Sequence, residues 1–225
     1  MSDPRPTSGP RTSAIPPLST RIHSERLLLR PPRPNDVGEL RRVLRANAAH
    51  LRPWSVAPAP GEDPTSLASV SRALLLQRRD WKRGQAFVLL ITPRENERRV
   101  IGRIALGGVL RGAFQNAYLG YWIEEQLQGQ GLMTEAVKAA TSFAFHSAGL
   151  HRVQAAIMPR NTRSLRVMEK VGYRREGVAE RYLCIAGRWE DHVLFATTIE
   201  DWAREGSDRA AADGNSWRGA ADERG

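Results

Sequence analysis

Gln126-Leu127-Gln128-Gly129-Gln130-Gly131-Leu132-Met133 joins a strand-like stretch to the most regular helical pattern in the chain. Upstream, Ala117 to Glu124 is dominated by aromatic and aliphatic residues that suit a pleated, half-buried strand. Downstream, Met133, Ala136, Val137, Ala140, Phe143 and Ala144 recur with the period of a helix that buries one face. Two glycines at a spacing of two allow a sharp backbone turn and leave N–H groups uncovered. With the positive end of a helix behind them, those groups suit a phosphate or pyrophosphate. Two familiar phosphate loops are excluded. A Walker loop needs Gly-Lys-Ser/Thr, but Leu132-Met133 follow Gly131; a dinucleotide fingerprint needs a third glycine where Thr134 stands.

The elements on either side alternate between the two periods, which predicts a single α/β (α+β) domain over residues 20–203. Leu27 to Arg30 reads as a short strand stopped by prolines, and Asn35 or Asp36 as the cap of a helix carrying Val37, Leu40 and Val43. Asp63-Pro64 is expected to open a second helix, with Leu67, Val70, Leu74 and Trp81 on one side. Gln85 to Thr92 and Arg99 to Val109 read as a hairpin. After the central helix come a strand at Arg152 to Met158, a helix at Asn161 to Val171, and two strands at about Val178 to Ile185 and Glu190 to Thr198. Residues 1–19, rich in Pro and Ser, and 204–225, without periodicity, are expected to be disordered tails.

Composition narrows the class. Of 225 residues 41% are hydrophobic, enough for a core, yet no run approaches the ~18 apolar residues of a membrane span. No secretory signal is visible, so a soluble, cytoplasmic protein is expected. Lys and Arg total 34 against 24 Asp and Glu, a net +10. Residues 1–19 hold two Arg against one Asp, and residues 204–225 four Arg against three Asp and two Glu, so the excess belongs to the domain. It suits an anionic partner such as RNA, a ribosome or a phosphorylated cofactor, although no basic run marks one patch. The five histidines lack metal-ligand spacing, and no metal is expected. Cys184, alone in an apolar strand, reads as packing, and the neighbours Asp191 and His192 point to opposite faces of theirs.

The pattern Gln/Arg-x-x-Gly-x-Gly/Ala after a strand resembles the acetyl-CoA pyrophosphate loop of the GNAT acetyltransferase superfamily. Asn161-Thr162-Arg163-Ser164 and Glu169-Lys170-Val171-Gly172-Tyr173 resemble its second signature. Gly149-Leu150-His151-Arg152-Val153, Met158-Pro159-Arg160-Asn161, Glu176-Gly177 and the run from Tyr182 to His192 resemble the RimJ branch of the RimJ/RimL ribosomal-protein-alanine N-acetyltransferases. This likeness covers roughly residues 21 to 203. It implies a mixed sheet splayed in the middle, with acetyl-CoA as co-substrate in the wedge. It also implies that Tyr121, Trp122 and Ile123 offer backbone groups to the pantetheine arm. Gln126, Gly129, Gly131, Leu132, Met133 and Thr134 would serve the pyrophosphate, and Asn161 the cofactor arm. The implied acceptor is the N-terminal alanine of a ribosomal protein, with ribosome or rRNA contact through the basic surface.

The chemistry is aminolysis of a thioester, which needs a neutral amine, donors for the oxyanion and a proton for the departing sulfur. An α-amine with a pKa near 7.7–8.0 is about a tenth neutral at pH 7, whereas a lysine is about 0.04% neutral. Only a weak base is needed. Ser164 matches the family's serine near the sulfur, Tyr182 is a second candidate acid, and Glu124 or Glu125 a candidate to orient a water or the amine. Some RimL-type members carry a glutamate where Tyr182-Leu183 stand here, so the base is left unassigned. A small-molecule amine or aminoacyl-nucleotide acetyltransferase stays open, as does a non-catalytic acetyl-CoA sensor or ribosome-binding factor. Monomer and dimer are equally compatible with the sequence.

Overall fold

The structure, a computed structural model, describes residues 15–204; the expected tails at 1–14 and 205–225 lie outside the described residues. Eight strands form one sheet: β1 (Ile22–His23), β2 (Leu27–Arg30), β3 (Phe87–Pro93), β4 (Gly102–Leu110), β5 (Asn116–Ile123), β6 (Arg152–Ile157), β7 (Arg174–Ile185) and β8 (Arg188–Thr198). Their order is β1-β2-β3-β4-β5-β6-β8-β7. The helices include α1 (Val37–Ala46), α2 (Ala48–Leu51), α3 (Leu67–Lys82), α4 (Leu132–His146) and α5 (Thr162–Val171), and residues 199–204 are helical as well. None of the described helices is long and apolar enough to cross a membrane.

Every neighbouring pair is antiparallel except β5–β6. That parallel pair holds for three rungs only: Asn116–Arg152, Ala117–Val153 and Tyr118–Gln154. Beyond them β5 stays with β4 as far as Ile123–Gly102, and β6 stays with β8 as far as Ile157–Val193. The sheet therefore parts in its middle, with Leu119 to Ile123 on one side of the gap and Ala155 to Ile157 on the other.

One face of the sheet lies under α4. Leu89, Ile91, Leu119, Ile123, Val153, Val193 and Phe195 pack there against Ala136, Val137, Ala140 and Phe143. Trp81, 1% exposed, stacks on Phe143 at 5.7 Å, meets Phe87 edge-on at 5.0 Å and donates Nε1–H to the Pro16 carbonyl at 2.6 Å. Residues 15–19, expected to belong to the arm, are thus tied to the domain at Pro16. The other face is covered by α1 and α3 through Leu40, Val43, Val70 and Leu74, packed on Leu90 and Val100 and reaching Trp122 of β5.

Three details differ from expectation. Ser66, not Asp63, caps α3, its Oγ accepting from Ser69 N–H at 3.1 Å. Asp63 instead closes a turn on Thr65. Asp36 precedes α1 without capping it: a 3₁₀ turn at Pro34–Asp36 aims its carboxylate at Arg30, with bonds of 2.7 and 2.8 Å. β7 begins at Arg174, ahead of the expected Val178, and Cys184 is half-buried.

Arg30 is 1% exposed and Asp36 5%, and Arg30 also donates to the Glu97 carbonyl at 2.8 Å, which pins the end of β2 to the β3–β4 turn. Removing one partner strands a buried charge. Asp36→Ala should lower the unfolding free energy by about 3–5 kcal/mol in urea melts; a loss below about 1 kcal/mol would show that the pair does not hold the turn.

Candidate active site

The gap between β5 and β6 opens toward the glycine loop. After a 3₁₀ turn at Glu125–Leu127, Gly129 and Gly131 take φ of 77° and 78°, and Gly131 is the N-cap of α4 in the left-handed region. That conformation costs any other L-residue roughly 1–2 kcal/mol. The first α4 bond runs from Glu135 N–H to the Gly131 carbonyl. The N–H groups of Gly129 through Thr134 find no main-chain acceptor among the described residues. They point from the positive end of a 15-residue helix, the arrangement that holds a pyrophosphate.

Two side chains brace this loop. Arg26 donates NH1–H to the Gln130 carbonyl at 3.1 Å and pairs with Glu135 at 2.8 Å. Glu135 also accepts from Ser24 Oγ–H at 2.7 Å and Arg26 N–H at 2.8 Å, which ties the start of α4 to the β1–β2 turn. Burial acts to raise the Glu135 pKa, but the bonds from Arg26 and Ser24 together outweigh it and lower the pKa. Gln126 accepts at its carbonyl from Gln130 Nε2–H at 3.2 Å. Gln128 spans the mouth of the gap, its amide 2.7 Å from His50 Nε2 on α2 and its oxygen accepting from Arg163 on α5.

Across the gap, Asn161 caps α5 by accepting from Ser164 N–H at 3.2 Å. Tyr121 donates its hydroxyl to the Ser164 carbonyl at 3.2 Å, which locks β5 to the first turn of α5. Burial raises the Tyr121 pKa and keeps the phenol neutral. Ser164 Oγ and Asn161 Nδ2 have no partner among the described residues, so the start of α5, which Tyr121 ties to β5, carries two unspent donors. Ile123 is buried in the α4-side core, while the Trp122 side chain packs toward α1 and α3. Met133 is buried, and Leu132 and Thr134 are half-buried.

The structure brings Tyr121, Asn161 and Ser164 together but sets Tyr182 and Glu124 apart from them. The Tyr182 ring lies 5.7 Å from that of His192, on the face of β8 opposite Val193 and Phe195. Burial, then the proximity of Tyr118, raises the Tyr182 pKa. Glu124 is 9% exposed, not solvated, with Arg42 and Arg99 each 3.4 Å from its carboxylate. Glu125 stays exposed, 4.0 Å from His50. Asp191 and His192 do not pair: Asp191 accepts from Arg181 N–H, and His192 Nδ1 meets the Glu190 carbonyl.

Neither Arg26 nor Arg160 was expected at the site: nothing local marks Arg26, and Arg160 stood only within the Met158-Pro159-Arg160-Asn161 likeness. Arg160 lies 4.9 Å over the Trp54 ring and pairs with Glu190 at 3.0 Å; nearby, Ala186 N–H donates to the Ser55 carbonyl at 3.0 Å. The α2–α3 connector and the β7–β8 hairpin thus close over one end of the gap.

A sheet parted after three rungs, with free amides at a helix N-terminus and unspent donors on the facing helix, fits a pyrophosphate-bearing thioester and defines a coenzyme A-dependent acyltransferase. Residues 26–174 match the family model described as an acetyltransferase (GNAT) domain. The chain belongs to the GNAT acetyltransferase family and is an acetyl-CoA-dependent N-acetyltransferase.

Among its relatives, the [Ribosomal protein uS5]-alanine N-acetyltransferase of Escherichia coli is 36% identical over 183 residues, covering 81% of this chain and 92% of that protein. The Bacillus subtilis protein named "Probable N-acetyltransferase YjcK" is 45% identical over 103 residues, which are 46% of this chain and 57% of that protein. The structure of Mycobacterium smegmatis RimJ in complex with CoA-disulfide superposes with a TM-score of 0.74 at 31% identity, covering 84% of this chain and 90% of that one. That of the ribosomal-protein-S5-alanine acetyltransferase from Vibrio fischeri gives 0.75 at 28%, covering 82% and 99%.

The lowered Glu135 pKa has a pH consequence. Its contribution to stability is complete above the ordinary carboxylate value of 4.5 and is lost as pH falls through the lower folded value. Between pH 4.5 and pH 3 the wild type should lose more melting temperature than Glu135→Gln. Equal losses would remove Glu135 as the tether of the loop.

Proposed function

We propose that the protein transfers the acetyl group of acetyl-CoA to the α-amine of a protein N-terminus, most simply the terminal alanine of a ribosomal protein, by direct transfer in a ternary complex. The amides of Gly129, Gly131, Leu132, Met133 and Thr134 hold the pyrophosphate, with Gln126 shaping the turn. The unpaired edge of Tyr121, Trp122 and Ile123 holds the pantetheine arm, assisted by Asn161. In the transfer the amine lone pair attacks the thioester carbonyl carbon and the C–S electron pair leaves on sulfur. Ser164 Oγ–H donates to that sulfur as it departs, while the amine proton leaves through water. Tyr182 borders the acceptor side as a neutral donor.

The observation that carries this reading is the state of Glu124. Arg42 and Arg99 already engage its carboxylate, so Glu124 is not a free base; it or the exposed Glu125 beside it orients a water or the incoming amine. A site without a dedicated base suits an α-amine, a useful fraction of which is neutral at pH 7, and disfavours a lysine. The uS5-alanine relative, covered over 92% of its length, supports the same acceptor class.

The test is thiol release from acetyl-CoA with mass spectrometry of three peptides: one with a free N-terminal alanine, one N-blocked with an internal lysine, and one free but starting with another residue. Acetylation confined to the alanine terminus is expected. Modification of the blocked peptide at lysine, or of no peptide while acetyl-CoA binds, would overturn the reading and favour a small-molecule acceptor or a sensor.

A ribosomal acceptor implies a cytoplasmic setting, and the net +10 supports approach to rRNA on ribosomal particles. Association with ribosomal subunits should then weaken steeply with added salt in sedimentation assays; a salt-independent association would sink that role for the charge.

A further inference from the structure

On β4, Ile104 and Leu106 face the α4-side core, so Arg103, Ala105 and Gly107 face the other side. Their partners on β5 are Trp122, Gly120 and Tyr118. Two of these six positions are glycine and one is alanine, and they form a floor without side-chain bulk. Gly120 is exposed in the middle of the sheet, and a Cβ added there would meet nothing within 4 Å. At Gly107 the nearest atom to such a Cβ is 4.0 Å away. The result is an open trough beside the gap, on the face away from Asn161 and Ser164. It runs from Tyr118, beside Tyr182, past Gly120 and ends where Trp122 and the half-buried Arg103 meet the edge of the α1–α3 cover.

Arg103 stands at the end of this trough without a counter-charge. It makes no hydrogen bond or ion pair among the described residues, and its Nε is buried and unpartnered. Its cross-strand neighbours are Leu90 and Trp122, both apolar. The acid nearest along the same face of β5, Glu124, already takes Arg42 and Arg99. Burial acts on the guanidinium with nothing opposing it, which lowers the Arg103 pKa, yet an arginine stays charged. A half-buried cation left unpaired in this way is a site for an anion brought from outside.

We propose that Arg103 receives an acidic side chain of the acceptor, carried on its second to fourth residue, so that the enzyme prefers N-termini with a carboxylate there. This rests on the reading of the acceptor as a peptide α-amine. The reach is consistent. Arg103 lies one strand across and two residues along from Gly120, about 8 Å at strand spacings of ~4.8 Å and a rise of ~3.4 Å per residue. An extended peptide entering from the gap covers that distance with two or three residues.

The experiment uses the full chain and two alanine-starting peptides that differ only in Glu or Gln at positions two to four, with a third bearing Lys there. For the wild type, kcat/KM should be about tenfold higher for the Glu peptide, carried mainly by KM. Arg103→Gln should bring the ratio to within about twofold, and Arg103→Glu should move the preference to the Lys peptide. The Kd for acetyl-CoA, read by calorimetry, should be the same in all three proteins. Equal use of the Glu and Gln peptides by the wild type overturns the assignment without any variant, as does a ratio that survives Arg103→Gln; either leaves the peptide acceptor standing. If the wild type acetylates none of the peptides, the acceptor reading itself falls and this one falls with it.

Discussion

Everything functional in this molecule depends on a refusal of two strands to pair. β5 and β6 share three rungs and then separate, each remaining bonded on its outer side. Backbone donors and acceptors in the middle of a sheet are seldom left without partners, because leaving them so is costly. Here the cost is localised where an extended, amide-bearing arm can take the place of the missing strand. The glycine loop lies at the open end of that slot and α5 at its side, so on the proposed reading the cofactor arm would continue the sheet's own hydrogen-bonding pattern.

The separation also divides the site by face. Tyr121, Ser164 and Asn161 share the α4–α5 side with the loop, whereas Tyr118, Gly120, Trp122, Tyr182 and His192 belong to the other. Donor and acceptor can then approach the same slot from opposite directions without competing for surface. That second face is the part of the sheet that the α1–α3 cluster, ending at Trp122, leaves uncovered, and on the proposed reading it receives the acceptor.

What was legible in the sequence was local. The Gly129–Gly131 turn, the α4 period and the helix starting at Asn161 each draw on residues within a few positions, and each appears as expected. The splay itself rested on family likeness, since no pattern in β5 or β6 announces where pairing stops. The bracing of the loop was invisible because Ser24 and Arg26 stand 111 and 109 residues from Glu135. The pairing of Glu124 was invisible too, because its partners Arg42 and Arg99 come from α1 and the β3–β4 turn. The caps failed where two side chains competed: Asp63 and Asp36 each had a better partner than the helix, in Thr65 and Arg30.

The strand order carries a consequence for how the chain is made. β1 to β5 are consecutive neighbours, so this antiparallel meander has all its partners once residue 123 has been synthesised. β6 emerges later, and its antiparallel partner is β8, which also separates it from β7. Its outer edge therefore stays unpaired until the last strand has been synthesised and inserted between two earlier ones, the non-local step that slows folding. The slot lies at the join between these two instalments. During synthesis the second wall of the slot is therefore the last to be secured, and a nascent chain halted before residue 188 has the loop, β6 and α5 but no strand to hold β6 in the sheet.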